Sequence, residues 1–340
     1  MEPTVKFLHL SLLFGFLIAS KAGDQGLSSA PAGRPPSRIL HSGSWRAEIM
    51  DPTHPQRYNK GARFTPVAVL QVWKDTTAFC YRPDNHDPVL ENAGLSGEFD
   101  IITSPPGFEE AAIDEGFVKI GVGVLKKSAA TYDFWPQHEI VERAKTTVKW
   151  SEDRADFIQI CNGVNGYAYS AGISVLLGDG ELKIEWTLTN TGTKTFTTFP
   201  YNHNFFQFQG RPQITGYELA FPYAIEAPTG NIECLSIESN VVRVLKPPVP
   251  PGAINVRIPY PQQYAGKNWV RLVRPSDGQE VICEVSEPGS VTAFHASSEC
   301  VCPEQVIKIH LEPAETKKWT WTYRFQVNDT LPNKAYENPT

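Results

Sequence analysis

What this 340-residue chain lacks narrows it quickly. Helical periodicity is the first absence: no convincing stretch beyond about ten residues repeats its apolar positions every 3.6 residues. The chain also holds 28 prolines. Proline in a helix interior removes a hydrogen bond and clashes with the preceding turn, so long helices are not expected. After residue 19 no apolar run reaches the ~18 residues that a spanning helix needs. Acidic and basic residues are mixed along the chain, with a net charge of −6. Without a basic stripe to hold a phosphate backbone, nucleic acid is not an expected partner. There is no G-x-S-x-G elbow, no phosphate-cradling glycine loop and no H-E-x-x-H pair. No segment repeats internally.

Cysteine is also sparse, and its reading depends on the N-terminus. Phe7–Ala19 is a continuous apolar run after a leader with one lysine, Lys6, and it precedes small residues at Ser20 and Ala22. This pattern predicts a cleaved secretory signal over residues 1–22, hence a secreted, extracellular chain with no membrane attachment after cleavage. The six cysteines, Cys80, Cys161, Cys234, Cys283, Cys300 and Cys302, are then expected in disulfides, with the pairing open among fifteen connectivities. Cys300-Val-Cys302 has no Cys/His set at zinc spacing near it in the chain, so no metal is expected. Asn328-Asp-Thr330 is an acceptable glycosylation sequon.

What the chain does have is period-two alternation. Leu182, Ile184, Trp186 and Leu188 alternate with polar residues, as do Ile307, Ile309 and Leu311, and Trp319, Trp321, Tyr323 and Phe325. Alternation of this kind marks half-buried antiparallel strands. Turn residues such as Gly178-Asp179-Gly180 and Asn190-Thr191-Gly192 separate them. The Pro/Gly/Ser-rich stretch 23–44 is expected as a flexible leader. Pro247–Gly252 is read as a long loop, because strand patterns resume on both sides of it. The prediction is one all-β domain over residues 45–328, a large antiparallel β-sandwich, followed by a tail at 329–340.

One strand stands out. "PYNHNFFQFQG", Pro200–Gly210, sets Asn202, His203 and Asn204 in the middle of an otherwise core-like segment. Buried polar groups need partners, from the protein or from a ligand. The segment "TLTNTGTKTFTTFPYNHNFFQF" resembles aldose 1-epimerases, the galactose mutarotase family. Asn190 and Gly192 match that family's "L-x-N-x-G", and Asn202, His203, Phe205 and Phe206 match its "N-H-x-Y-F" with Phe for Tyr. "IHLEPAETKKWTWTYRF" is similar to the family's closing strands, with Ala314 where glycine is usual. "EEAAIDEGFVKIGVGVLKK" is similar to a segment of a divergent exported branch.

The resemblance implies a supersandwich with a concave carbohydrate-binding face and an interconversion of sugar anomers by acid/base ring opening and closing. Such chemistry needs two tuned proton-transfer groups and no cofactor. His203 is the implied acid, because an imidazole exchanges protons near neutrality. The implied base is a glutamate near the C-terminus: Glu304, with Glu299 second. Asn202 and Arg63 are the implied sugar contacts, and Tyr201, Phe206 and Trp135 are candidates to line the cleft. Family members carry a further histidine in "L-H-G-G", which this chain lacks; His86 and His138 have different neighbours. Two alternatives therefore stay open: a non-catalytic carbohydrate-binding protein on the same scaffold, or another carbohydrate-active enzyme such as a lyase or hydrolase. The expected partner is a monosaccharide or a sugar reducing end.

Overall fold

The computed structural model describes residues 36–54, 61–83, 93–136, 138–249, 252–264, 266–276 and 278–327. The expected signal sequence, His86 and the Asn328 sequon lie outside the described residues. Strand β1 (Ser37–Ser42) pairs with β2 (Trp45–Met50) across a two-residue turn, in which Gly43 takes a φ of +58°. That strand falls inside the stretch expected as leader, so the fold begins by Ser37. Alternation explains the difference: Leu40 turns inward between exposed neighbours. The chain continues as β3 (Phe64–Lys74) and β4 (Leu95–Phe99).

Next come three long strands joined by tight turns: β5 (Arg154–Val164), β6 (Tyr167–Leu177) and β7 (Glu181–Asn190). They belong to a ten-stranded antiparallel sheet. The chain then crosses to the first sheet as β8 (Pro200–Asn204), which pairs with β4. Later come β9 (Gly289–Ala296) and β10 (Val301–Ile307), paired in a four-stranded sheet, and β11 (Thr316–Val327), which returns beside β7. A single 3-10 turn, Phe208–Gly210, is the only helix among the described residues. The architecture is the all-β antiparallel sandwich that alternation predicts.

The alternating residues build the core. Tyr169, Ala171, Ile173 and Val175 of β6 face inward with Leu182, Ile184, Trp186 and Leu188 of β7. Trp319, Trp321, Tyr323 and Phe325 of β11 join them. Trp186 and Trp319 are register partners whose rings stack at 5.6 Å, the cross-strand contact that stabilises a sheet face. By contrast, β3, β4, β8 and β10 are buried on both faces for most of their length, because they lie between layers. All six cysteines are buried free thiols, which corrects the disulfide expectation. They sit as small apolar side chains in the packed interior, a role to which cysteine is well suited.

Two seams hold β8 in place. On one side it pairs antiparallel with β4, setting Tyr201 opposite Glu98 and His203 opposite Ser96. On the other, Phe206 bridges to Val301, at the start of β10. Gly94 pins the first seam. Its φ is +62°, its N–H bonds the Tyr81 carbonyl and its carbonyl accepts the Phe205 N–H. A Cβ on Gly94 would meet the Val69 carbonyl oxygen at 2.0 Å. The Gly94→Ala change is therefore expected to cost about 2–4 kcal/mol of stability through strain and steric overlap. Denaturant midpoints would check this, and an unchanged midpoint would show that the seam is not under this constraint.

Candidate active site

The site grows from one carboxylate. Glu98, on β4, has no exposed surface, although its neighbours in sequence are core residues. A charge placed there must be compensated. Arg63, just before β3, grips it with two hydrogen bonds, Nε to Oε1 at 3.1 Å and Nη2 to Oε2 at 2.8 Å. Lys119 places its ammonium 3.8 Å from Oε1 and donates to Phe99 O and the Tyr132 hydroxyl. The Tyr201 hydroxyl donates to Oε2 at 2.6 Å. Burial would raise the Glu98 carboxyl, but Arg63, His203 and Lys119 together hold it well below the usual carboxylate range.

On this floor stands His203. Its Nε2 lies 3.0 Å from Glu98 Oε2 and its Nδ1 lies 2.5 Å from Glu304 Oε1, so the imidazole is held between two carboxylates. Burial would lower its pKa; Glu304 and then Glu98 reverse that, and the net shift is upward. Each ring nitrogen faces a carboxylate oxygen, Nε2 that of Glu98 and Nδ1 that of Glu304. Glu304 projects from β10 on the same strand face as Cys302, two residues before it, and the Cys302 thiol lies 3.2 Å from Glu304 Oε1. Burial, and then Glu304, keep this thiol well above its ordinary pKa. His203 and Glu304 are each 7% exposed, so the relay from Glu98 reaches solvent at its outer end.

Aromatic residues surround that opening. Phe205 stacks on the imidazole with ring centroids 5.6 Å apart, and Phe64 meets it edge-on at 5.8 Å. Phe134 and Trp135 cover the Arg63 guanidinium at 4.9 and 4.8 Å, and Trp135 is 45% exposed. Across the opening His295, the register partner of Cys302, packs edge-on against Phe205 and bonds Asn255 Oδ1 through Nδ1. The arrangement offers a proton-handling pair beside apolar faces, with no cofactor needed for the proton step. His203, Cys302 and Glu304 also bring three metal-competent atoms within 4.8 Å of one another. A separate pocket of about 190 Å³, lined by Pro106, Glu110, Tyr167 and Phe196 among others, shares none of these residues.

The structure brings together His203, Glu304, Arg63, Tyr201 and Trp135, and separates the rest. Arg63 does not reach for a ligand; its guanidinium is buried and committed to Glu98. Tyr201 contributes a buried hydroxyl rather than a stacking face. Asn202 is a correction: it points to the opposite face of β8, where its Nδ2 donates to the Tyr323 hydroxyl at 2.9 Å. Asn204 accepts from that hydroxyl and donates to Pro303 O, so both asparagines are satisfied inside the protein. Phe206 is a second correction: it lies in the core with no exposure, and Phe205 is the ring on the site side. Glu299 is exposed and accepts from the Tyr81 hydroxyl. His138 is buried against Phe117 and Tyr132, with Nε2 on Asp133 O. His203 and Glu304 touch, so no sugar ring fits between them as they stand. Sequence reasoning missed Glu98, Lys119 and Cys302. The one available signal for Glu98 was a charged residue alternating through "LSGEFD", a segment otherwise fit for the core.

No family model matches the chain, and no curated protein does. Solved structures do. A galactose mutarotase-like protein from Lactobacillus casei is 12% identical, with 85% of this chain and 100% of that one covered at a TM-score of 0.55. A galactose mutarotase related enzyme from Lactobacillus acidophilus is 10% identical over 87% and 99%, with a TM-score of 0.56. A galactose 1-epimerase from the same species is 11% identical over 86% and 94%, with a TM-score of 0.52. Identities this low establish a shared fold, the galactose mutarotase-like sandwich.

Two outcomes test the electrostatics. The Glu98→Ala change removes the carboxylate that pairs with both Arg63 and Lys119, and is expected to cost about 3–5 kcal/mol of stability. Chemical denaturation would measure it, and a loss under ~1 kcal/mol would contradict the compensated-charge account. The second outcome follows from the raised His203 pKa. Its stabilising contribution is fully present below the unfolded value of ~6.5 and is lost as pH rises through the folded value. Stability should therefore fall as pH rises above ~6.5, with a slope that His203→Gln reduces. An identical slope in that variant would assign the titration to another group.

Proposed function

We propose, taking the galactose mutarotase-like fold as the starting point, that this protein is an exported sugar-processing enzyme. It would interconvert the anomers of a free monosaccharide or a reducing-end sugar by acid/base ring opening and closing. One observation carries the reading: an imidazole pinned between two carboxylates at the mouth of a buried charge network. Such a unit holds a transferable proton, and Glu98 fixes the orientation of the ring that carries it.

The closed pair sets the order of events. Opening a pyranose requires one group on the anomeric hydroxyl and another on the ring oxygen, each at hydrogen-bond distance. Two groups serving those oxygens must stand about 5 Å apart, twice the present separation of His203 Nδ1 and Glu304 Oε1. An entering sugar would thus displace Glu304 from the imidazole. The released carboxylate takes the proton of the anomeric hydroxyl, and the His203 Nδ1–H faces the ring oxygen. Glu98 keeps its hold on Nε2 throughout and stabilises the imidazolium, while Arg63 and Lys119 keep Glu98 ionised. Phe205 and Trp135 are the rings placed to meet the apolar face of a sugar.

The same closure favours the alternative of a non-catalytic sugar-binding protein, in which the pair never separates. Polarimetry on freshly dissolved α-glucose and α-galactose distinguishes the two. The enzyme reading expects accelerated mutarotation, reduced at least 100-fold by His203→Ala and by Glu304→Gln in folded protein. Sugar binding without acceleration would overturn catalysis and leave the binding protein.

A further inference from the structure

We propose that His203, Cys302 and Glu304 form a binding site for a zinc-class divalent cation, a role separate from the acid/base reading of the same strand face. In the chain Cys302 has no metal partner at a recognisable spacing. The fold supplies two. β8 delivers His203 and β10 delivers Cys302 and Glu304, so that Nδ1, Sγ and a carboxylate oxygen lie within 4.8 Å of one another. Glu304 Oε1 is the shared vertex, 2.5 Å from Nδ1 and 3.2 Å from Sγ. A tetrahedral ion with bonds of about 2.0–2.3 Å requires donors about 3.3–3.8 Å apart, which these side chains reach by small adjustments.

Two features outside the three donors point the same way. His203 turns Nδ1 towards the cluster because its other nitrogen is tied to Glu98, the carboxylate–histidine arrangement that orients metal-bound imidazoles. The Asn204 backbone N–H donates to Cys302 Sγ at 3.1 Å, so the sulfur already has the outer hydrogen bond that a bound thiolate uses. A thiol, an imidazole and one carboxylate suit zinc or cobalt, and they disfavour magnesium and calcium, which take oxygen ligands. Entry is through the opening where His203 and Glu304 reach solvent, and a water or a substrate oxygen takes the fourth position. Binding forms three protein–metal bonds and changes no oxidation state. The thiol proton and the Nδ1 proton leave to solvent.

The test uses the full mature chain, stripped with a chelator and titrated with Co²⁺ in place of zinc. We expect one equivalent to bind, with a thiolate-to-cobalt charge-transfer band and the visible absorption of a tetrahedral ion. Cys302→Ser should abolish the charge-transfer band while Cys300→Ser keeps it. Because the His203 and Glu304 variants could unfold, circular dichroism accompanies each titration. Glu98→Gln serves as the positioning variant, expected to weaken cobalt binding 10- to 100-fold while retaining the band. Absence of the band in the parent chain, or its survival in Cys302→Ser, overturns the site. Polarimetry on the chelator-stripped protein reads the epimerase proposal independently, so either idea can fail alone. Should both hold, zinc engages His203 and Glu304 and is expected to suppress mutarotation stoichiometrically; full activity with bound zinc would overturn shared ligation.

Discussion

The Glu98 carboxylate is the constraint on which the site depends. It has no exposed surface, and it is tolerated because a bidentate guanidinium, an ammonium, a phenol and an imidazole converge on it. The partners come from three parts of the chain, Arg63 just before β3, Lys119, and Tyr201 with His203 on β8, so the carboxylate ties these segments to β4. Any group that satisfies it is immobilised in return. His203 thereby gains a fixed ring orientation, with one nitrogen committed inward and the other presented to Glu304.

Geometry then divides the labour on β8 between its two faces. Tyr201, His203 and Phe205 look towards the charge network and its opening, while Asn202, Asn204 and Phe206 look towards Tyr323 and the core. The asparagines serve the fold: they saturate a buried phenol and a strand carbonyl, fixing the position of β8 against β10 and β11. That position sets the contact between His203 and the Glu304–Cys302 pair. The proposed proton transfer and the proposed metal ligation would draw on the same juxtaposition, an imidazole whose second nitrogen is already engaged by Glu98.

Much of the architecture is legible along the chain. Leu182 to Leu188 and Trp319 to Phe325 alternate cleanly because their sheet has one face in the core and one in contact with solvent. His203 and Glu304 also stand out, the one by its polar neighbours within a core-like strand and the other by its place before "VIKIHL". Glu98 does not. Ser96, Glu98 and Asp100 alternate as an exposed face would, but the strand is buried on both faces, so the alternation does not tell a covered site side from a solvent side. In β8, too, polarity does not report exposure, because every residue is covered. The cysteines show a related ambiguity, for an even count is equally compatible with disulfides and with small buried thiols.

The sequence alone determined that this chain forms antiparallel strands separated by tight turns, because period two and turn residues are local properties of the backbone. Tertiary structure decided which faces those strands present, and it alone brought Glu98 to His203 across 105 positions and Cys302 to Asn204 across 98. Burial, ion pairing and donor geometry arise only where distant segments meet. They are sums over neighbours in space, and no local pattern encodes who those neighbours will be.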